Sequence, residues 1–480
     1  MPEVEPGFDR VMLIYLTQPD ADYQIQGEMN YRMKRVPQLG LQYLSSVLAG
    51  QGVTAEFLDQ ALSPVRPSDV VRKWRTGRYG FAGFYTDSSL KKKVLAFIRQ
   101  VLAEEPGIAI VAGGPGYPGF AEYHEAGVDL VCHGEGERTV VDIASIYRGE
   151  RPRSDTPGIS WAEDGRIRVG PPRHLIEDLD VLSFPDRNST PIDSYYDWHF
   201  YGMRTPFVTA MAARGCPNRC TFCCSPTTGR RVRRRSVPNV LAEIDELTGK
   251  FGVQYVGYKD DIFVMDKAWL ESFCDGLIGR GSPIRFSCNM HPFSFKTDAN
   301  RFAPLMRRAG LDLAVFGIQS VNPGVLKKIG RHEQEPRYLA ELGRQLKKQG
   351  VSLVYEFILG LPGDTERTTG ESLDFALRTR PHYTMFYTLS VLEGSEIHRE
   401  YGQDPVCDIP KSRQQELASR FAKKFFFNPI VILQNILHVL KKNPYWIWRN
   451  LKMIPYFIEA TGIIKRRQPS GDSLEECHED

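Results

Sequence analysis

The sequence contains no uninterrupted apolar stretch approaching 18 residues, so no membrane-spanning helix is expected. Its opening residues, MPEVEPGFDR, lack both the basic start and the long apolar run of a secretory leader. An excess of one charge is missing as well. The 61 Lys and Arg residues face 58 Asp and Glu, a net charge of +3, too near neutrality to mark a nucleic-acid binder by itself. A composition of 42% hydrophobic and 25% charged residues excludes global disorder. No G-x-G-x-x-G fingerprint follows the first apolar run, which argues against a dinucleotide site. Cysteine is sparse, nine in 480 residues, yet four crowd into RGCPNRCTFCCS (214–225). An odd count with tight clustering fits a ligand site better than a disulfide framework, and the expected address is the cytoplasm, where thiols stay reduced.

A chain of 480 residues exceeds one hydrophobic core. Residues 1–150 alternate short apolar runs with helical patterns. RVMLIYLT (10–17), TAEFLDQ (54–60), YGFAGFY (79–85), IAIVAGG (108–114) and VDLVCHGEGE (128–137) read as strands. PQLGLQYLSSVLAGQG (37–52) and SLKKKVLAFIRQVLAEE (89–105) read as helices. That alternation predicts a doubly wound parallel sheet, whose ligand belongs at the carboxyl ends of its strands. Those ends are 17–20, 85–89, 113–117 and 134–137, and glycines there let backbone approach a large flat ligand. Taken alone, GGPG and GEGE read equally well as tight turns. Residues 151–204 read as a connector carrying a hairpin around Asp164-Gly165.

PFVTAMAARG (206–215) reads as a strand, placing Cys216, Cys220 and Cys223 on the loop that leaves it. Thiolates are soft ligands for zinc or an iron–sulfur cluster. Three on one loop can take three corners of a cubane and leave one iron open. Structural zinc would want a fourth ligand and paired C-x2-C hooks. Cys224 follows directly behind Cys223 and points elsewhere. Repeated strand–helix units across 205–400 suggest a partial (β/α) barrel with its site at the strand C-terminal ends.

The C-x3-C-x2-C spacing, with the aromatic Phe222 before the third cysteine, resembles the radical S-adenosylmethionine superfamily. Residues 10–145, through PQLGLQYLSSVLAGQG, GFYTDSSL, VAGGPGYPG and VDLVCHGEGE, resemble the cobalamin-binding domain that precedes many such enzymes. The combined resemblance implies an α/β architecture. A Rossmann-like cobalamin-binding domain (1–150) and a connector (151–204) lead to a partial (β/α)6 TIM-type radical barrel (205–400) and a C-terminal helical domain with an acidic tail (401–480). It implies a 4Fe–4S cluster on Cys216, Cys220 and Cys223. It assigns S-adenosylmethionine contacts to Phe222, Tyr258, Asp260 and Asp261 (YKDDIF), Ser287 and Asn289 (SCNMHP), Gln319 and Ser320 (FGIQS), and Leu361 (GLPGDT). Gln319 stands where the family commonly has glutamate, keeping hydrogen-bonding reach without the charge. Asp260 and Asp261 also read as a strand-end turn.

Cobalamin contacts are implied for Thr17 and Gln18 after the first strand and for Tyr85, Ser88, Ser89 and Leu90 after the third. Gly113, Gly114 and Pro115 follow the fourth strand, and Gly134, Glu135 and Gly136 the fifth. Cobalamin domains of the methionine-synthase type ligate cobalt through a D-x-H-x-x-G loop after the first strand; residues 17–40 contain no histidine. Cobalamin is therefore expected without a histidine ligand from that loop. The implied chemistry is methylation of an unactivated carbon. One S-adenosylmethionine methylates cobalamin and a second supplies the 5′-deoxyadenosyl radical that abstracts substrate hydrogen. Cyclisation, ring contraction or rearrangement on the same scaffold is the alternative, and a metal-stabilised, non-catalytic binding protein is another. The expected partners are a small-molecule, lipid-like or natural-product substrate and a reductant such as flavodoxin or ferredoxin, with no nucleic acid.

Two features stand outside these motifs. GRRVRRRS (229–236) is the sharpest basic run, and without interleaved aromatics it reads as salt bridges and cofactor-side contacts rather than a nucleic-acid surface. Residues 413–466 are helical, aromatic and basic, broken by Pro429, Pro444 and Pro455. They read as a small helical domain over the barrel mouth or as a peripheral membrane face. The tail carries Cys477 and His478, which are not expected to be catalytic.

Overall fold

The computed structural model describes residues 7–17, 34–115, 120–197, 205–224, 228–292, 294–295, 298–331, 334–402 and 406–442. The strands are β1 (Arg10–Tyr15), β2 (Lys34–Arg35), β3 (Thr54–Asp59), β4 (Tyr79–Tyr85), β5 (Ile110–Gly113), β6 (Leu130–Cys132), β7 (Ile159–Glu163), β8 (Arg166–Val169) and β9 (Tyr196–Asp197). They continue as β10 (Phe207–Ala210), β11 (Ala213–Arg214), β12 (Arg233–Arg234), β13 (Tyr255–Tyr258), β14 (Arg285–Met290), β15 (Leu311–Gln319), β16 (Ser352–Leu359) and β17 (Tyr383–Thr388).

The first sheet has the order β3-β1-β4-β5-β6-β7-β8. The β3, β1, β4, β5 and β6 neighbours pair in parallel. Alternation along β1 feeds two cores: Met12 and Ile14 pack into one layer, Val11 and Leu13 into the other. Helices therefore cover both faces, as the doubly wound reading requires. The hairpin around Asp164-Gly165 forms, both turn residues at positive φ (51° and 69°). It does not stand apart as a connector: β7 pairs antiparallel with β6 and extends this sheet beyond residue 150.

The second sheet has the order β10-β13-β14-β15-β16-β17, all parallel, the open (β/α)6 barrel expected. Leu353, Tyr355, Phe357 and Leu359 point outward under the helices, while Val354 joins Leu313, Tyr383 and Met385 inside. The helix Val237–Phe251 shows how the helical layer forms. Ser236 caps it by accepting from the Asn239 amide (3.2 Å), Val240, Leu241, Ile244 and Leu247 are buried, and Gly252 ends it at φ 61°.

Among the described residues, the C-terminal helices after residue 410 lie along the barrel's edge and base rather than over its mouth. Helix Lys411–Phe426 runs along the edge strand β17, with the Phe386 and Phe421 rings 5.6 Å apart. Helix Pro429–Lys442 then crosses the base, bonding to residues at the starts of β15, β16 and β17. Among the described residues, no helix is long and apolar enough to cross a membrane. Cys477, His478 and residues 443–466 lie outside the described residues.

Candidate functional site

The cysteine loop is closed by a ribbon. β11 and β12 pair antiparallel, Ala213 with Arg234 and Arg214 with Arg233, so residues 215–232 form one loop at the C-terminal end of β10. Two glycines shape it. Gly215 sits at φ 93°, and a Cβ there would fall 2.3 Å from the Arg231 carbonyl; Gly229 sits at φ 88°. The Cys216 amide donates to the Gly229 carbonyl (3.1 Å) and the Cys223 amide to the Cys220 carbonyl (3.1 Å). Among the described residues none of the three is in a disulfide, and all three are partly exposed. Burial pushes the Cys216 thiol up, and Asp261, Cys220 and Cys223 add to the shift, so the three sulfurs share one neighbourhood. No three His, Cys, Asp or Glu side chains among the described residues gather around a single-ion position. A zinc tetrahedron would need its sulfurs about 3.8 Å apart; a cubane spreads its thiolates wider. The donor set fits an iron–sulfur cluster. Cys224 turns away, its thiol donating to the Glu393 carbonyl (3.4 Å).

The segment after helix Pro323–Lys328 backs this loop. The Thr221 amide donates to Ile329 O (3.3 Å), and Gly330, at φ 72°, lets the chain pass Arg219. Arg331 donates through Nε to Cys220 Sγ (3.2 Å), with its guanidinium 5.9 Å from the Phe222 ring centre. Phe222 packs against Val325, Leu326, Ile329 and Leu361. Leu361 itself is held in a turn whose Gly360 and Leu361 amides both donate to Asp364 (3.0 Å each).

Inside the barrel, alternation puts Ser287 and Asn289 of β14 on the inner face, with Glu356 of β16 on the same face across the intervening β15. Asn289 donates to the Asp260 carbonyl (3.2 Å). Gln319 has φ 67° at a register shift in β15, and a Cβ on Gly317 would lie 2.6 Å from its Nε2. The glycine of FGIQS thus makes room for that amide. Ser320 is buried and accepts from the Asn322 amide (3.2 Å), a turn-forming role.

Two assignments at YKDDIF need correction. Tyr258 shares strand parity with Val256 and points outward among Phe263, Phe273 and Phe286, away from the inner face. Asp260 is fully buried, and its carboxylate accepts from the Ala212 (3.0 Å) and Ala213 amides. Burial pushes its carboxyl up to about 7 despite those amides. It braces the turn between β10 and β11 instead of meeting a ligand. Asp261 accepts from Thr228 Oγ1 (3.0 Å) and lines a cavity.

That cavity, about 470 Å³, lies between the two sheets. The first domain contributes Tyr85, the Gly113-Gly114-Pro115 and Gly134-Glu135-Gly136 turns, and apolar side chains such as Leu13, Leu44 and Phe81. The barrel contributes Met211, Arg214, Thr228, Lys259 and Asp261. Seven of the twelve expected cobalamin contacts line it. Thr17, Ser88, Ser89 and Leu90 do not, because the cavity lies over the ends of β4, β5 and β6, to one side of the β1 end. Thr17 instead pairs with Gln60 (3.1 Å), Asp87 caps the Ser89 and Leu90 amides, and Leu90 is buried. Gln18 lies outside the described residues. Among the described residues the lining contains no histidine, and a Cβ on Gly134 would meet nothing within 4 Å. Glu137 Oε2 is a buried acceptor at the wall without a partner among the described residues. An apolar, glycine-edged cleft with such an acceptor fits a flat ligand carrying amide donors, as cobalamin does.

Sequence reasoning missed the clamp joining the halves. Arg214 donates to Glu135 (2.9 Å) and Glu137, and Arg233 to Glu135 (2.9 Å) and to the carbonyls of Ile176 (2.7 Å) and Thr228 (2.6 Å). The Ile176 amide donates to Glu135 Oε2 (2.6 Å), which Arg233 also reaches, while Arg214 meets Oε1. Burial pushes Glu135 up, but that amide and the guanidiniums outweigh it, leaving its carboxyl below the usual range. Arg235 pairs with buried Glu243, which Arg187 also reaches (3.4 Å). Within the basic run, Arg233 and Arg235 are held in these buried ion pairs, Arg231 pairs with Glu177 at the surface, and Arg230 and Arg234 donate to the Asn218 and Phe263 carbonyls. Arg214 stands two residues before Cys216 and Glu137 completes GEGE, but no local pattern reveals that they meet.

Comparison with known proteins agrees with this geometry. The B12 binding domain model matches residues 32–144, and the Radical SAM superfamily model matches residues 212–376. The chain belongs to the cobalamin-binding radical S-adenosylmethionine enzymes. This radical SAM enzyme is 24% identical over 454 residues to an uncharacterized methyltransferase of Pyrococcus horikoshii, spanning 89% of this chain and 95% of that one. It is 26% identical over 308 residues to the anaerobic magnesium-protoporphyrin IX monomethyl ester cyclase of Synechocystis, spanning 62% and 59%. Its fold matches the radical S-adenosylmethionine methyltransferase TsrM of Kitasatospora setae, solved with cobalamin and a 4Fe–4S cluster bound. The TM-score is 0.67 at 17% identity, covering 82% of this chain and 75% of that one.

Proposed function

We propose that this enzyme transfers a methyl group from cobalamin to an unactivated carbon of a small molecule. The observation that carries the reading is the shared cavity: strand ends of the first domain line the same space as Arg214, which leads into the cluster loop, Thr228 within that loop, and Asp261. When bound, the cluster with S-adenosylmethionine supplies a carbon-centred radical, and cobalamin supplies the methyl group. The chain's own residues hold and enclose these groups. Cys216, Cys220 and Cys223 would hold the cluster through three thiolates, and Arg331, donating to Cys220 Sγ, would stabilise that thiolate. Ser287, Asn289 and Gln319 face the inner barrel, where S-adenosylmethionine would extend from the open iron. The glycine turns at 113–114 and 134–136 would let the corrin approach backbone, and the loop after the first strand, residues 17–40, offers no histidine for the cobalt. Leu13, Leu44 and Phe81 exclude water from that side. Hydrogen-atom abstraction needs no general base, so the site requires no acid–base pair.

The reading assigns residues 1–150, together with the β7–β8 hairpin, to the cobalamin domain and 205–400 to the barrel. It implies a one-electron donor such as flavodoxin or ferredoxin, and a cytoplasmic protein in peripheral contact with a membrane. Cyclisation on the same scaffold is the second reading, favoured by the likeness to the Synechocystis cyclase. The test is anaerobic: purify the protein with iron, sulfide and hydroxocobalamin, reduce it with S-adenosylmethionine, and quantify 5′-deoxyadenosine and S-adenosylhomocysteine beside a Cys220→Ala control. Both products, lost in the control, support methyl transfer. Substrate turnover that yields 5′-deoxyadenosine without a methylated product points to cyclisation or rearrangement. No cleavage by an intact reduced cluster returns the cysteines to a structural role.

A further inference from the structure

The helix Pro429–Lys442 leaves most of its aliphatic surface uncovered. Its inward side is mixed: Val431 and Val439 are buried, and polar groups face the protein beside them. Asn435 donates to the His382 carbonyl (2.8 Å), His438 meets Ser352 Oγ (2.9 Å), and Lys442 reaches Asp312 Oδ1 (2.8 Å). Its aliphatic side faces out: Ile430, Ile432, Leu433, Ile436, Leu437 and Leu440 are 40–58% exposed. At 100° per residue these six fill an arc of about 160°. Exposed singly they would need no explanation, but six contiguous on one helix mark a contact surface.

Charge selects what covers it. No acidic residue stands between Glu416 and Glu459, a stretch holding Arg420, Lys423, Lys424, Lys441, Lys442, Arg449 and Lys452. The rest of the chain is close to neutral. Lys442 is spent on Asp312, but Arg420, Lys423, Lys424 and Lys441 are exposed, and such an excess of cations disfavours pairing with a second copy. The segment following the helix adds Trp446, Trp448 and Tyr456 with more cations and no acids before Glu459. Aliphatic, aromatic and cationic groups together suit the headgroup region of an anionic bilayer.

We propose that the outer face of helix Pro429–Lys442 docks this protein on an anionic lipid surface. The helix lies at the N-terminal ends of the barrel strands, opposite the ends that carry the cysteine loop. The bilayer is therefore a tether, and the cavity entrance stays on the aqueous side. The inference rests only on the peripheral-contact part of the proposed function. Its test uses no cofactor chemistry, so its failure leaves the methyl-transfer reading untouched.

The experiment is flotation of the full chain with vesicles of equal phosphatidylglycerol and phosphatidylcholine, against pure phosphatidylcholine, at low and high salt. The expected result is at least tenfold stronger partition to the anionic vesicles, weakened by salt. It falls at least tenfold in the double variant Leu433→Glu/Leu437→Glu, whose sites are exposed and whose folding is checked by circular dichroism. Failure to float with either vesicle overturns the proposal, as does equal partition to both or unchanged partition of the variant. A dimer that the double variant dissociates, without vesicle binding, assigns the face to a second copy and overturns it too.

Discussion

Replacing Glu135 with glutamine should release the cysteine loop from the cobalamin domain. The carboxylate accepts from Arg214, Arg233 and the Ile176 amide, with the Glu135 and Arg233 side chains only 5% and 2% exposed. Breaking a buried ion pair by removing one partner costs roughly 3–5 kcal/mol. Glutamine keeps one acceptor oxygen but turns an NH2 toward donors. Arg214 retains Glu137, and Arg233 retains two carbonyls, so the lower end, about 3 kcal/mol, is expected. At 1.36 kcal/mol per decade that is roughly a hundredfold rise in local opening. The reporters are the Cys216 and Arg235 amides, which close the loop on the Gly229 and Ala212 carbonyls. Hydrogen exchange read by mass spectrometry should show them accelerating about a hundredfold while β15 and β16 stay protected. Acceleration below about fivefold, or spread evenly over the barrel, would refute the clamp.

Three further outcomes follow from individual contacts. Arg331→Leu removes the donor to Cys220 Sγ, so the cluster potential should fall by roughly 60 mV, one decade for a single electron, in a redox titration followed by paramagnetic resonance. Gly317→Ala should displace the Gln319 amide and weaken S-adenosylmethionine binding at least tenfold by calorimetry, with little change in melting temperature, because the atom that must move ends a flexible side chain. Acidification should loosen the base helix. Burial, and then the cations of Lys442 and its neighbours, hold His382 well below its usual value and His438 near 4. These histidines stay neutral when folded but take protons at about 6.5 when unfolded, so their contribution is intact above pH 6.5 and drains away towards pH 4. The urea midpoint should fall over that window, and less so in His438→Gln.

The strands were legible because period-2 alternation and glycine turns are local. YGFAGFY forms β4 residue for residue, and Asp164-Gly165 turns as its sequence demands. The cysteine loop was legible because its three thiols are close in sequence. What escaped depends on tertiary placement. Strand parity turns Tyr258 outward, while Asp260 is captured by amides two strands earlier in the chain. The cavity's offset from β1 leaves Thr17 and Ser88 unused. Arg214 and Arg331 acquire their roles only when residues 79 and 111 positions away fold against them. The C-terminal run suggested packing over the barrel mouth or a membrane face; its described helices pack along β17 and across the opposite end, through a side that mixes two valines with polar groups.

The central claim is that cobalamin sits between the first sheet and the cysteine loop. The direct measurement is bound cobalamin and iron per chain, after identical anaerobic reconstitution, for the wild type and for Leu44→Trp, whose ring would fill the cavity. The account predicts near-stoichiometric cobalamin in the wild type, and loss of most of it in the variant with iron content unchanged. A variant that binds cobalamin as well as the wild type, with an intact cluster, would contradict it.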